Sequence, residues 1–242
     1  MDTGIYVALS KETGIMRDLE VTANNIANMT TNGYEGEDLL FTSYLNQGTA
    51  QETNVAYANQ ATTYRDISQG TMQMTGGALD AAIEGSGYFV AQTPLGLRYT
   101  RNGNFAVGPS GYLVTSEGYP VLDQGGQPIT FEETDKNVNI HSDGTITVDG
   151  SERATLKIAQ FNKEQFLQHT GNSFYMSDIP PKAEASNFQV VAGMLERSNV
   201  QPFKSLTHMI YIERQISETN NFINTMYTLE RNASNTLAKV YS

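Results

Sequence analysis

Acidic side chains are the first candidates for chemistry in this sequence. The chain contains 26 Asp and Glu against 15 Lys and Arg. A glycoside hydrolase needs two carboxylates that flank the scissile bond at a set separation. No spacing in the sequence distinguishes such a pair, so a solvated acidic face is the interpretation that the sequence favours. The glutamates that could be nominated are Glu84, Glu117, Glu132 and Glu133.

Metal and nucleotide chemistry have less support. The three histidines, His141, His169 and His208, show neither His-x-x-x-His spacing nor a glutamate paired with two of them. There is no cysteine. The Gly-Ser-Gly run at 85–87 lacks the third glycine of a dinucleotide loop, and no P-loop or nucleophile elbow is present. We therefore expect no catalytic residue, no metal ligand and no cofactor, and a protein that is not an enzyme.

Net charge excludes two further classes of partner. The formal charge of the 242 residues is −11, whereas nucleic acids and anionic membrane surfaces both require a basic footprint. The sequence has no run of eighteen apolar residues, so no membrane insertion is expected. Its opening, MDTGIYVALSKETG, lacks the basic and apolar regions of a cleaved signal peptide. Either the protein stays in the cytoplasm or it leaves by a route that reads another signal.

A helix is predicted at the beginning of the chain, over residues 1–33. Apolar residues recur there at alternating steps of four and three, with only Glu12 polar in the series. Such a seven-residue repeat indicates a helix that packs along another helix. Gly33 is a natural left-handed stop. The predicted stripe is Ile5, Leu9, Met16, Leu19, Ala23 and Ile26.

The middle of the chain reads as an extended linker followed by a β domain. Residues 34–75 are polar with scattered aromatic side chains, and residues 76–200 consist of short apolar runs separated by glycine-rich turns. Two Asp-Gly pairs, at 143–144 and 149–150, bracket the run TITV. This arrangement is a strong hairpin signal. An antiparallel β domain is therefore expected over 76–200.

A second long helix is predicted over residues 201–242. Pro202 suits the first turn of a helix, where its missing N–H donor is harmless. A helix from there to the end of the chain would be about 60 Å long. The apolar stripe again steps by four and three, through Ile212, Ile216, Thr219, Ile223, Met226, Glu230, Ala233, Leu237 and Val240.

The expected fold class is thus α+β, with N- and C-terminal long helices forming a coiled coil that brackets an extended linker and an antiparallel β domain. Two arrangements of the helices remain open. They could pair with each other in a monomer, or they could form part of a helical layer that many copies share.

Three blocks of the sequence resemble one protein family. The stretch LEVTANNIANMTTNGY, residues 19–34, is similar to the N-terminal signature of bacterial flagellar axial proteins of the rod and hook. Residues 69–122 look like the core β segment of that family, and GMLERSNV, residues 193–200, matches a third block in the right order. The size of the β domain resembles that of the two longer rod proteins. The opening MDTGIYVALS is more similar to the proximal than to the distal rod members.

This resemblance implies a structural component of the flagellar basal-body rod that assembles helically, transmits torque and forms the export channel. It implies export by the flagellar type III apparatus without a cleaved signal peptide, and a location in the periplasmic rod. The implied partners are other rod proteins, neighbouring axial subunits and the export apparatus. One departure is Glu35, where the family often has a basic residue. With Glu37 and Asp38 it predicts a local acidic patch.

The resemblance also directs attention to the asparagines at the end of the first helix. An asparagine amide competes for backbone hydrogen bonds and is unfavourable within a helix, but it can both donate and accept. We expect these amides to bridge partners on adjacent subunits. The candidate assembly interface comprises Ile5, Leu9, Met16, Leu19, Asn24, Asn25, Ile26, Asn28, Ile212, Ile216, Ile223, Met226 and Leu237.

Two alternatives of another class stay open, a peptidoglycan-acting enzyme and a self-contained β-domain binding module. Within the family, a distal rather than a proximal rod protein is the nearest alternative.

Overall fold

The computed structural model describes residues 2–45, 56–132, 134–171, 173–182 and 185–240. Its fold is α+β, with antiparallel strand pairs and a long C-terminal helix. The chain divides into two compact units. The first unit contains Met1–Ala27, Glu37–Arg65 and Gln201–Ser242, and the second contains Asn28–Gly36 and Asp66–Val200.

The first unit consists of two helices and one strand pair. Helix α1 spans Asp2–Ala27 and helix α2 spans Pro202–Val240, and the two pack against each other. Strand β1, Glu37–Leu45, pairs antiparallel with strand β2, Ala56–Arg65, and both strands contact α1. Pro202 is the first residue of α2, as its fixed φ angle favours.

The strand pair β1–β2 lies in the segment that the sequence predicts to be an extended linker. The two strands are extended, but they also pair in register from Glu37 opposite Arg65 to Leu45 opposite Ala56. Thr62, Thr63 and Tyr64 of β2 are all exposed. The polar composition hides this pairing, because backbone hydrogen bonds can join two strands without the apolar alternation that marks a half-buried face.

Helix α1 ends earlier than the predicted boundary at residue 33. Its last residue is Ala27, and Asn28 begins a turn in which the Thr31 N–H donates to the Asn28 carbonyl oxygen at 3.1 Å. Gly33 does adopt the predicted left-handed conformation, with φ of 65°. A Cβ there would lie 2.3 Å from the Asn102 backbone nitrogen, so close approach requires glycine as well.

The second unit contains fourteen short strands within its described residues. Five of them form a sheet in the order β12-β5-β6-β14-β13, three form a sheet in the order β11-β10-β9, and the pairs β15-β4, β16-β3 and β7-β8 complete the unit. The strands are β3 Met72–Met74, β4 Ala81–Gly85, β5 Tyr88–Thr93, β6 Gly96–Thr100, β7 Phe105–Val107, β8 Leu113–Thr115, β9 Val138–Ile140, β10 Thr145–Val148, β11 Ser151–Thr155, β12 Ile158–Ala159, β13 Gln168–His169, β14 Phe174–Met176, β15 Phe188–Ala192 and β16 Met194–Glu196.

The hairpin that the two Asp-Gly pairs predict is present. Strand β10 is TITV, and it pairs antiparallel with both β9 and β11. Asp149 and Gly150, between β10 and β11, have φ of 49° and 84°. Two consecutive positive φ angles are the requirement of a type I′ turn, for which Asp-Gly is a preferred pair.

Strand β5 supplies side chains to both cores of the second unit. Phe89 belongs to a core with Ile83, Leu113 and other mostly aliphatic residues, whereas its neighbour Tyr88 belongs to a second core, which is richer in aromatic residues and contains Tyr175. Successive residues of a strand point to opposite faces of the sheet. One strand therefore connects the two cores.

Candidate assembly site

The predicted stripe of α2 is the least exposed face of that helix from Ile212 to Glu230, whereas Ala233 is exposed. Ile212 is 1% exposed and Thr219 is 5% exposed. Ile216, Ile223 and Met226 are half-buried, in steps that continue the same spacing. Leu237 lies outside the residues whose side chains are described. The sequence periodicity therefore identifies the face of α2 that packs within the first unit.

The buried face of α1 is rotated from the predicted stripe. Ala8 and Thr22 are buried, and Leu19 and Ile26 of the predicted stripe are half-buried. Leu9 and Met16, by contrast, are 54% and 44% exposed. A straight helix has 3.6 residues per turn and drifts from a seven-residue repeat. The side chain of Ile5 lies outside the described part of the chain.

A contact between His208 and Asp18 joins α2 to α1, and no pattern in the sequence marks it. The Nε2 atom of His208 lies 3.0 Å from both carboxylate oxygens of Asp18. The His208 ring also stacks on Tyr211, with ring centroids 6.3 Å apart. The His208 side chain is 45% exposed, so even with a protonated ring this contact contributes only about 0–1 kcal/mol.

Asn25 bonds to its own chain through both ends of its amide. Its Nδ2 donates to the Glu37 carbonyl oxygen at 2.7 Å, and the Glu37 N–H donates to its Oδ1 at 3.0 Å. Asn25 is 9% exposed. Only an amide offers a donor and an acceptor in this geometry. The side chain thereby fixes the start of β1 against the last turn of α1, a role in addition to the predicted one between subunits.

Asn24 and Asn28 differ from Asn25 in their surroundings. Asn24 is exposed on α1, and Asn28 lies after the end of the helix. The Oδ1 atom of Asn28 accepts from the Thr31 hydroxyl at 3.3 Å. The structure thus places the three asparagines in three different settings, and contacts with another subunit remain a prediction for each.

Replacing Asn25 by leucine is expected to release β1 from α1. The change removes two hydrogen bonds and leaves the Glu37 N–H and carbonyl without these partners, at a cost of about 1–3 kcal/mol. Hydrogen exchange at the Glu37 amide should be faster by at least about tenfold, since 1.4 kcal/mol corresponds to that factor. Asn24→Leu, at the exposed neighbouring position, is the matched control. Equal exchange at Glu37 in both variants would contradict the role of Asn25.

Helix α2 carries a second set of apolar side chains that face outward. None of them belongs to the predicted stripe, and all are more than two-fifths exposed. Singly exposed apolar side chains are common on protein surfaces, so these residues do not by themselves define an interface. Repeat spacing could not identify these residues, because they lie on several faces of the helix. They are Phe203, Leu206, Ile210, Tyr211, Phe222, Tyr227 and Leu229.

The loop that contains Tyr34 and Glu35 is buried in the second unit. Tyr34 is 2% exposed and Glu35 is 5% exposed. The Tyr88 hydroxyl donates to the Glu35 carboxylate at 3.0 Å, and the Glu35 N–H donates to the Tyr175 hydroxyl at 3.3 Å. The prediction of an acidic patch is therefore wrong for Glu35, because this side chain is buried. A carboxylate that accepts from a tyrosine hydroxyl can be buried in the aromatic core.

A buried ion pair lies behind this loop. Arg101 and Glu196 are 5% and 3% exposed, and the Arg101 Nε atom lies 3.0 Å from Glu196 Oε2. The Arg101 Nη1 group donates to the Gly85 and Gly87 carbonyl oxygens at 2.8 and 2.7 Å. The Gly70 N–H donates to Glu196 Oε1 at 2.9 Å.

Burial governs the protonation of this carboxyl group. Loss of water around Glu196 raises its pKa, and the positive charge of Arg101 and the Gly70 N–H offset part of that rise. The backbone of Glu196 also binds the loop that contains Tyr34 and Glu35. The Gly33 N–H, just before this loop, donates to the Glu196 carbonyl oxygen at 2.8 Å. One residue thus connects the ion pair to the turn that follows α1.

The glutamates nominated for acid–base chemistry lie in ordinary surface settings. Glu84 is exposed, Glu117 accepts from the Ser116 hydroxyl, and Glu132 pairs with Arg153 at 3.5 Å. Glu133 lies outside the described residues. Among the residues that the structure describes, no cluster of three His, Cys, Asp or Glu could hold a metal ion. No described helix is long and apolar enough to cross a membrane.

The known proteins that this chain resembles are flagellar rod and hook proteins. The family model described as "Flagellar hook protein FlgE/F/G D1 domain" matches residues 82–148. The chain is 33% identical to "Flagellar basal-body rod protein FlgF" of Caulobacter vibrioides, over 99% of this chain and 100% of that relative. It is 34% identical to the protein of the same name from Rhizobium meliloti, over 88% and 89% of the two chains. It is 30% identical to "Flagellar basal-body rod protein FlgG" of Bacillus subtilis, over 91% and 94%.

Proposed function

Because this chain belongs to the flagellar basal-body rod protein family, we propose that it is a structural subunit of the rod and not an enzyme. The observation that carries the proposal is the end-to-end match, at 33% identity, to a relative named as a basal-body rod protein. Since that match includes both terminal helices, it covers the parts of the chain that a rod subunit would use for assembly.

The terminal helices are proposed to form a coiled coil in the inner layer of the rod, with the β domain outside. The spacing of the buried residues on α2, including Ile212 and Thr219, supports this arrangement. Leu9 and Met16 on α1 support it in another way, because exposed apolar side chains are available to a second subunit. A head-to-tail interface that does not close on itself produces a helical tube. Such a tube would transmit torque and enclose the export channel.

Each segment predicted from the sequence is proposed to have its own role in the rod. Residues 1–33 and 201–242 would enter the inner layer, residues 34–75 would link the layers, and residues 76–200 would form the outer domain. Partners would be other rod proteins and neighbouring axial subunits. Delivery would be by the flagellar type III apparatus without a cleaved signal peptide, to the periplasmic rod of the basal body.

A place in the proximal rod is the narrower proposal. Relatives named FlgF are 33% and 34% identical to this chain, and the Bacillus subtilis relative named FlgG is 30% identical. The distal rod is the alternative. Electron cryo-microscopy of isolated basal bodies, with side-chain density for Phe222 and Tyr227, would distinguish the two positions.

Removal of a terminal helix tests the proposed function. The full-length chain should co-purify with basal bodies, and a chain that lacks residues 202–242 should not. A β-domain binding module would keep its partner after the same deletion, and a peptidoglycan-acting enzyme would keep its lytic activity. Retention of the truncated chain in basal bodies would therefore contradict assembly through the helices.

A further inference from the structure

Three methionines lie on one face of the ribbon that β3 and β16 form. In the register of this ribbon, Met74 is directly opposite Met194, and Glu196 is opposite Met72. Residues that face each other across an antiparallel pair have Cα atoms about 4.5–5.5 Å apart. Met72 and Met74 are two residues apart on β3, so their side chains point to the same face. Backbone pairing thus places the side chains of Met72, Met74 and Met194 on one face of the ribbon.

The ribbon is fixed at both ends, which holds this register in place. Beyond Met74, the N–H groups of Thr75 and Gly76 both donate to the Gly193 carbonyl oxygen, at 2.9 and 3.1 Å. At the other end, the Arg197 N–H donates to the Thr71 carbonyl oxygen at 2.9 Å. A slip by one residue would break all of these bonds. The three side chains therefore share one face without any rearrangement of the backbone.

Packing does not account for Met74. Methionine usually fills irregular gaps in a core, but Met74 is 76% exposed. Met72 and Met194 are half-buried beside it. Two of the three methionines are therefore partly buried, and the third is largely open to solvent. Such a cluster is accessible to an ion.

The side chains on this face of the ribbon would favour a soft cation over a hard one. Thioether sulfur is a neutral, soft ligand that favours copper(I) over hard divalent ions. Glu196 is the ribbon's one carboxylate, and its oxygens already face the Gly70 N–H and the Arg101 guanidinium. A hard oxygen ligand is therefore not offered on this face. We propose that Met72, Met74 and Met194 form a binding site for a soft monovalent cation, copper(I), for which silver(I) is a redox-stable probe.

The site uses no residue of either helix, so loss of metal binding and loss of assembly through the helices can be measured separately. Its test is a titration of the full-length chain, labelled with 13C at the methionine methyl groups, with silver(I). The chain has nine methionines. We expect the signals of Met72, Met74 and Met194 to shift together and to saturate at one silver ion per chain, while the others stay in place.

Leucine variants assign the site and measure its strength. Met74→Leu preserves volume at an exposed position, so folding should be unaffected, and its affinity for silver(I) should fall by at least about tenfold. Met209→Leu, at a half-buried position of α2, is the matched control and should bind silver(I) as the natural chain does. Met72→Leu and Met194→Leu should each weaken binding in the same way. Shifts spread over all the methionines, or unchanged affinity in Met74→Leu, would overturn the proposal.

Discussion

Replacing Arg101 by alanine should lower the free energy of unfolding of the second unit by about 3–5 kcal/mol, because it leaves a buried carboxylate without its cation. The change also removes the donor to the Gly85 and Gly87 carbonyl oxygens, which bracket the turn before β5. Urea unfolding followed by tyrosine fluorescence measures the loss, since Tyr88 and Tyr175 belong to the neighbouring aromatic core.

Arg153 provides the matched control for this experiment. It pairs with Asp135 at 3.1 Å, but the Arg153 side chain is 32% exposed. A partly exposed pair of this kind contributes about 0–1 kcal/mol, so Arg153→Ala should shift the urea midpoint only slightly. If Arg101→Ala and Arg153→Ala lowered the free energy of unfolding by the same amount, burial of the Arg101–Glu196 pair would not explain its effect.

The loss in Arg101→Ala should depend on pH, with a sign that the Glu196 pKa determines. Burial raises that pKa in the folded protein above its ordinary value, so the folded state binds the proton more tightly than the unfolded state. Ionisation of Glu196 therefore lowers stability as the pH rises through the folded pKa. Without Arg101 the pKa rises further, and the deficit of the variant should shrink as the pH falls from 7 towards the ordinary glutamate range. A deficit that stays constant with pH would show that only the hydrogen bonds to Gly85 and Gly87 matter.

Replacing Ile223 by aspartate should abolish motility and leave the second unit folded. Ile223 is half-buried on the stripe of α2, and an unpaired carboxylate in an apolar contact costs several kcal/mol. The measurement is swimming in soft agar, together with recovery of the subunit in isolated basal bodies. Circular dichroism of the strands checks that the β structure persists.

Asn224→Asp is the matched control for this second change. Asn224 is the next residue of α2 and is exposed, so the variant introduces the same charge outside the stripe. Cells that carry it should swim normally. If Ile223→Asp cells swim as well as Asn224→Asp cells, the stripe of α2 is not an assembly interface.

The features that local pattern could predict are those that depend on nearby residues. The stripe of α2 through Ile212 and Thr219 is buried as its spacing indicates, because helical periodicity alone decides which side chains share a face. Gly33 takes a positive φ angle and Asp149-Gly150 forms the predicted hairpin turn, since these conformations are properties of the residues themselves. The family signature around Asn25 is likewise a short contiguous stretch, residues 19–34, which can be identified without knowledge of the rest of the fold.

The features that local pattern missed depend on residues far apart in the chain. Arg101 and Glu196 are about two-fifths of the sequence apart, and nothing near either residue marks it as buried. The strand pair β1–β2 was hidden for a similar reason, because its partners were joined by backbone hydrogen bonds rather than by an apolar face. Leu9 and Met16 fit the repeat but lie on the exposed side of α1, since a repeat cannot say how far a helix is rotated.

The sequence by itself determined the family, the two helical ends, the β-rich middle and the buried face of α2. These follow from residue type and from spacing within a few turns or one hairpin. Only the tertiary structure decided that Glu35 is buried against Tyr88, that Asn25 bonds to Glu37, and that three methionines share one ribbon face. The reason is that burial, hydrogen-bond partners and strand register are relations between distant segments, which exist only once the chain has closed the loops between them.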